Sequence, residues 1–108
     1  MSLKRCLLLG LMGASMTAVA ENIDYQVNGE TYQGFYTSAA DNAPLVLLIH
    51  DWDGLTDYEI KRANMLAEEG YAVFAVDLFG KGIRPTEDKD KKQHTGELYQ
   101  DRQKGRFR

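Results

Sequence analysis

The chain has 108 residues, of which 13 are Lys or Arg and 16 are Asp or Glu, giving a net charge of −3. That acidic balance argues against nucleic acid or an anionic membrane surface as a partner. A single cysteine, Cys6, excludes an internal disulfide, and the length allows one small domain.

The first twenty residues read as a cleaved export signal rather than as part of the fold. Lys4 and Arg5 form a basic start, Cys6 to Ala14 is a short apolar core, and Ala18-Val19-Ala20 supplies small residues at the cleavage positions. The apolar run is too short to cross a bilayer, which takes about 20 residues. Cleavage near Ala20 removes two bases and no acid, and Cys6 leaves with the leader. The expected mature chain, residues 21–108, then has no thiolate and no membrane attachment. A secreted or bacterial periplasmic location follows.

Residues 24–38 predict a hairpin. Tyr25 and Val27 alternate with polar neighbours, and Asn28-Gly29 is a strong two-residue turn signal. Thr31 to Tyr36 forms the second strand, with Gly34 suggesting a bulge. Ser38 to Pro44 is a polar surface loop.

Leu45 to Ile49 is an unbroken apolar run, the pattern of a central parallel strand buried on both faces. Thr56-Asp57-Tyr58-Glu59 has the form of a capping box. Ile60, Ala63, Leu66 and Ala67 then share one helical face, and Gly70 marks the helix end. Ala72 to Val76 is a second apolar strand. Strand, helix and strand make a β-α-β unit, expected to be right-handed. Beyond Gly80 lie a loop through Pro85, a mixed-charge run from Glu87 to Lys92 read as a solvated loop or helix start, and an exposed helix over 97–104. The fold class is therefore α/β: an N-terminal hairpin followed by a β-α-β unit, too few strands for a complete doubly covered parallel sheet.

In open parallel sheets, ligands gather outside the carboxyl ends of the strands. Two segments sit there: His50 to Thr56 and Asp77 to Pro85. A turn leaving the first strand can aim backbone N–H groups at one point, as an oxyanion hole does. Gly54 permits the sharp turn. His50 reads either as a structural histidine at a strand end or as a participant in the chemistry, with the former favoured. Trp52 is a pocket wall or a packing aromatic, and Asp51 a surface acid or a buried steering group. Asp77-Leu78-Phe79-Gly80 matches a GTPase Asp-x-x-Gly, but no phosphate-binding glycine loop precedes it. Asp51, Asp53 and Asp57 lack the spacing of a calcium loop, and His50 with its acids is a poor metal set. Neither a cofactor nor a metal is expected.

Ile49-His50-Asp51-Trp52-Asp53-Gly54-Leu55, then Tyr58, Arg62-Ala63, Leu66-Ala67, Glu69-Gly70-Tyr71 and Ala75-Val76-Asp77-Leu78-Phe79-Gly80, taken together and in order, resemble the dienelactone hydrolase family. The resemblance covers about residues 25–104, all in the N-terminal part of the family's domain. It implies the α/β-hydrolase fold and a site that hydrolyses a small ester or lactone by nucleophilic acyl transfer. It places Trp52 as an oxyanion donor through its backbone N–H. Asp51 stands where the family has a glutamate that contacts the resting nucleophile. Lys81 falls near a basic residue that binds a substrate carboxylate in some members, and Arg84 is its plausible substitute.

The family's nucleophile, on a Gly-x-Cys/Ser-x-Gly elbow, is absent from these 108 residues, as are the acid and histidine that follow it. Gly13-Ala14-Ser15-Met16-Thr17 lacks the last glycine, and His94 comes too early in the chain. Gly105-Arg106-Phe107-Arg108 also leaves the family pattern. A truncated or frameshifted product, inactive alone, is the simplest account. The competing reading is a non-catalytic secreted binding module that uses the same crevice, with Trp52, Tyr58 and Phe79 as its walls. An in-frame downstream elbow separates the two.

Overall fold

Four strands and two helices follow one another in the computed structural model, which describes residues 17–102. They are β1 (Thr17–Val27), β2 (Glu30–Ala40), β3 (Leu45–Ile49), α1 (Asp57–Glu68), β4 (Ala72–Val76) and α2 (Asp88–Gln100). The strands form one mixed sheet in the order β1-β2-β4-β3. The predicted leader lies outside the described residues as far as Met16; its last four positions, 17–20, open β1 and pair with the end of β2.

The hairpin turns where the sequence indicates. Asn28 and Gly29 both take positive φ, 53° and 82°, which matches the right-handed twist of the strands they join. The register then stays constant from Val27↔Glu30 to Thr17↔Ala40. Gly34 is therefore not at a bulge, contrary to expectation. Its hydrogen makes room instead: a Cβ there would lie 2.8 Å from both the Ala75 carbonyl oxygen and Phe74 Cζ. Phe74 can thus lie across β2, where its ring meets Tyr25 at 6.0 Å, and Tyr25 stacks on Tyr32 at 5.6 Å.

The β-α-β unit forms as predicted. β3 and β4 are parallel, with Ile49 beside Val76. The capping box at the start of α1 is complete. The Thr56 N–H donates to Glu59 Oε1 at 2.9 Å, and the Tyr58 N–H donates to Thr56 Oγ1 at 3.3 Å. At its end the Tyr71 N–H reaches the Leu66 carbonyl and the Gly70 N–H reaches that of Ala67, the pattern of a Schellman stop. Phe35, Leu55, Ala63, Val73 and Ala75 form the core, joined at its margin by Val46, Leu48, Ile60 and Leu66.

Two further expectations are corrected. Ser38 to Ala40 belong to β2 rather than to the surface loop. Leu45–Ile49 is not a central strand buried on both faces. β3 lies at the sheet edge, paired with β4 alone among the described residues. Val46 and Leu48 face α1, but Leu45, Leu47 and Ile49 are 67%, 59% and 59% exposed. The apolar run has the composition for two covered faces, while the described residues supply a helix for only one. The charge run and the helix expected over 97–104 are one element: α2 spans 88–100 and buries no side chain fully, and residues 103 and 104 lie outside the described residues. No described helix is long and apolar enough to cross a membrane.

Candidate active site

The chain leaves β3 through a tight turn. The Gly54 N–H donates to the Asp51 carbonyl at 3.2 Å, so Trp52 and Asp53 occupy the turn's two central positions. Gly54 takes φ +82°, and a Cβ there would stand 3.0 Å from the Ile83 carbonyl oxygen. Glycine is thus required twice over, by backbone sign and by the approach of the neighbouring loop.

His50, 8% exposed, ties the loops after the two parallel strands together. Its Nε2 accepts the Leu78 N–H at 3.0 Å, and its Nδ1 lies 2.7 Å from the Asp51 carbonyl oxygen. A nitrogen that accepts an N–H carries no proton, so the ring proton sits on Nδ1 and is donated to that carbonyl. Both nitrogens are used, and the Phe79 ring packs edge-on at 4.8 Å. His50 is a structural brace between loops.

The wholly buried carboxylate of Asp77 organises the second loop. Its Oδ1 accepts the Phe79 and Gly80 N–H groups at 3.0 and 3.1 Å, and its Oδ2 accepts the Gln33 N–H at 3.0 Å. Arg84 Nη1 stands 3.5 Å from Oδ1. Tyr25 completes the tie. Its hydroxyl donates to the Asp77 carbonyl at 2.6 Å and accepts the Asp77 N–H at 3.0 Å. Burial pushes the Tyr25 phenol up, which keeps the donor protonated.

Where the first loop meets α1, carboxylate oxygens of Asp51, Asp53 and Glu59 lie within 4.8 Å of one another. The third acid is Glu59 rather than Asp57, because the capping box turns Glu59 inward. Its Oε1 is already held by the Thr56 N–H and hydroxyl, each at 2.9 Å. The Asp51 and Asp53 carboxyls push each other in opposite directions. The hydrogen bond to Asp51 raises the Asp53 carboxyl, helped by burial and the nearby negative charges. The same bond, received, holds Asp51 low against a smaller burial effect. Asp53 Oδ1 is enclosed with no donor facing it, a position that suits a protonated acid.

The remaining sequence-selected residues fall as follows. Trp52 is 40% exposed, and its backbone N–H has no acceptor among the described residues. Its ring carries Lys91 Nζ 4.9 Å above the centroid. Lys81 is drawn to the hairpin, 2.6 Å from Asp24, with both side chains about half exposed; the bond lowers the Asp24 carboxyl. Arg84 Nη1 donates to the Ile83 and Gly80 carbonyls at 2.8 and 3.1 Å. Arg84 also lines a cavity of about 360 Å³ with Gln33, Thr56 and Ile60. The parts of Tyr25, Phe79, Lys91 and His94 were not legible in the sequence. That of Asp77 had a local signal, an Asp whose side chain can take the amides two and three residues on.

Replacing Asp77 with Asn sets an NH₂ group against an amide donor and strands Arg84. Urea unfolding should show a loss of about 3 kcal/mol; a change below about 1 kcal/mol would contradict the hub role assigned here. For the acid pair, the Asp53 contribution favours the fold while the group is protonated and fades as pH rises through its raised folded value. The Asp51 contribution is present above its unfolded value and fades as pH falls through its lowered one. The two oppose, so the order of titration is the sharper readout. Carboxyl NMR should show Asp51 ionising first, and Asp53→Ala should return Asp51 upward toward an ordinary aspartate. An unmoved Asp51 would disprove this mutual effect.

The sequence pattern of the dienelactone hydrolase family matches residues 31–107. Among solved structures, the protein m3DLH superposes with a TM-score of 0.73 at 26% identity, covering 81% of this chain and 38% of that one. A promiscuous dienelactone hydrolase-like phosphotriesterase from metagenomic libraries superposes at 0.70 with 23% identity, over 82% of this chain and 38% of that one. No curated protein shows significant similarity. The chain thus spans well under half the length of these structures. The edge position of β3 and the two loops at the strand ends agree with an α/β-hydrolase sheet of which these residues form one side. The chain belongs to the dienelactone hydrolase family.

Proposed function

We propose that this chain supplies the oxyanion side of an acyl-transfer site that hydrolyses a small ester or lactone. Supporting this is the Trp52 backbone N–H, which has no acceptor among the described residues and belongs to a part-exposed residue in a turn braced by His50 and the Ile83 loop. Such a donor can meet the charge that develops on a carbonyl oxygen under attack. Asp51, its carboxyl lowered by the hydrogen bond with Asp53, would lie beside the nucleophile. Of the two candidate cations for a substrate carboxylate, Arg84 lines the neighbouring cavity while its Nη1 stays bonded to the Gly80 and Ile83 carbonyls, whereas Lys81 is paired with Asp24 on the hairpin. The attacking group, with its acid and histidine, would come from sequence other than these 108 residues.

The test uses an aryl ester. The 108-residue chain should give no turnover above background, because it holds no attacking group. In a longer protein carrying these residues and a Gly-x-Cys/Ser-x-Gly elbow, Trp52→Pro should lower kcat by about 10²–10³. Proline suits this turn position and removes the N–H together with the indole ring, so the alanine variant is the control for the ring. Trp52→Ala, which keeps the N–H, should lose much less. Equal losses from the two variants would refute a backbone role. Turnover by the short chain would refute the division of labour, and saturable ester binding without turnover would favour a binding module.

We also propose export through the N-terminal leader. Cleavage near Ala20 would trim β1 to residues 21–27 and spare the turn and both site loops. N-terminal sequencing of protein recovered from a bacterial periplasm should begin near Glu21; a start at Met1 would refute processing.

A further inference from the structure

α2 is an odd helix to find ordered. It has no side-chain cap at its start, no basic residue in its last turn and no fully buried side chain. Of its half-buried positions, Lys91, His94, Thr95 and Leu98 nevertheless share one stripe at the spacing of a single helical face, with Asp90 and Gly96 half-buried outside it. Only Leu98 on that stripe is aliphatic, so the usual apolar anchoring is nearly missing. Two other contacts take its place. Lys91 Nζ lies 4.9 Å over the Trp52 ring, and the His94 ring lies 5.4 Å from that of Phe79. These contacts reach different loops. Trp52 belongs to the turn after β3, and Phe79 to the Asp77 loop after β4. Phe79 in turn packs on His50, whose two nitrogens bind both loops.

We propose that Lys91 and His94 are positioning residues: from the outer helix they clamp the two site loops together, through Trp52 and Phe79. α2 is thus a strap across the loop that carries the candidate oxyanion donor, and strap and loop order as one unit. This rests on the acyl-transfer reading for its functional meaning, while the clamp itself can be tested without any reaction. The only tryptophan in the chain is Trp52, so indole emission reports the Lys91 contact directly.

The full chain with Lys91→Gln is compared with wild type and Lys91→Arg by tryptophan emission and by amide hydrogen exchange. Lys91→Gln should shift the emission. It should also speed exchange together at α2 and at Trp52–Leu55, by about two- to five-fold, the size of one half-exposed cation–π contact. Lys91→Arg should restore both readings, because a guanidinium also sits well on an indole face. His94→Ala should loosen α2 and the Leu78–Gly80 amides without moving the emission far. The clamp is overturned if Lys91→Gln leaves the emission superimposable on wild type. It is equally overturned if α2 loosens while Trp52–Leu55 stays protected, for then the helix merely rests on the loop. Loss of the hydrolase reading would leave these readouts unchanged, and loss of the clamp would leave the Trp52→Pro test standing.

Discussion

A carboxylate with no access to water must be met on every side, and Asp77 is such a group. Its partners come from three places: the hairpin through Gln33, its own loop through Phe79 and Gly80, and the loop's far end through Arg84. Removing any of them leaves part of a buried charge uncompensated, so the three segments hold one arrangement. Tyr25 repeats the constraint on the backbone by bonding both the N–H and the carbonyl of Asp77. The hairpin is thereby fastened to the mouth of the parallel strands, well beyond its pairing with β4. The Lys81 N–H, bonded to the Thr31 carbonyl at 3.0 Å, adds a further stitch along the same seam.

This explains a division among the polar residues at the strand ends. Those that most resemble catalysts are committed to the scaffold. His50 uses both nitrogens to join the loops, and Arg84 gives Nη1 to the Gly80 and Ile83 carbonyls and the buried acid and Nη2 to the Gln33 carbonyl. The Trp52 peptide N–H, by contrast, has no acceptor among the described residues. That arrangement suits electrostatic stabilisation, in which donors are fixed in advance and need no reorganisation when charge appears.

The sheet has two unlike faces. One packs on α1 around Phe35, Val73 and Ala75. The other is covered over the hairpin by aromatic rings lying above Gly34, and over β3 by nothing among the described residues. The exposed row of Leu45, Leu47 and Ile49 lies on the strand that leads into the candidate site. These residues correspond to 38% of the length of the matched structures, and an apolar row of this kind is what a sheet shows where further cover would pack.

Much of this was legible in the residues themselves. Asn28-Gly29 determined the hairpin turn, because few other pairs accept positive φ twice. Thr56 and Glu59 determined the helix start, and the ordered motif from Ile49 to Gly80 determined the family. Only the tertiary structure decided the rest. The composition of Leu45–Ile49 indicates what the strand can bury, but its neighbours decide what it does bury. Gly34 looked like a bulge, yet it is a gap for a ring from a strand about forty residues on. The distant partners of His50, Asp77, Arg84 and Lys91 were hidden for one reason: a polar side chain has many possible partners along a chain, and folding chooses among them by bringing distant groups together.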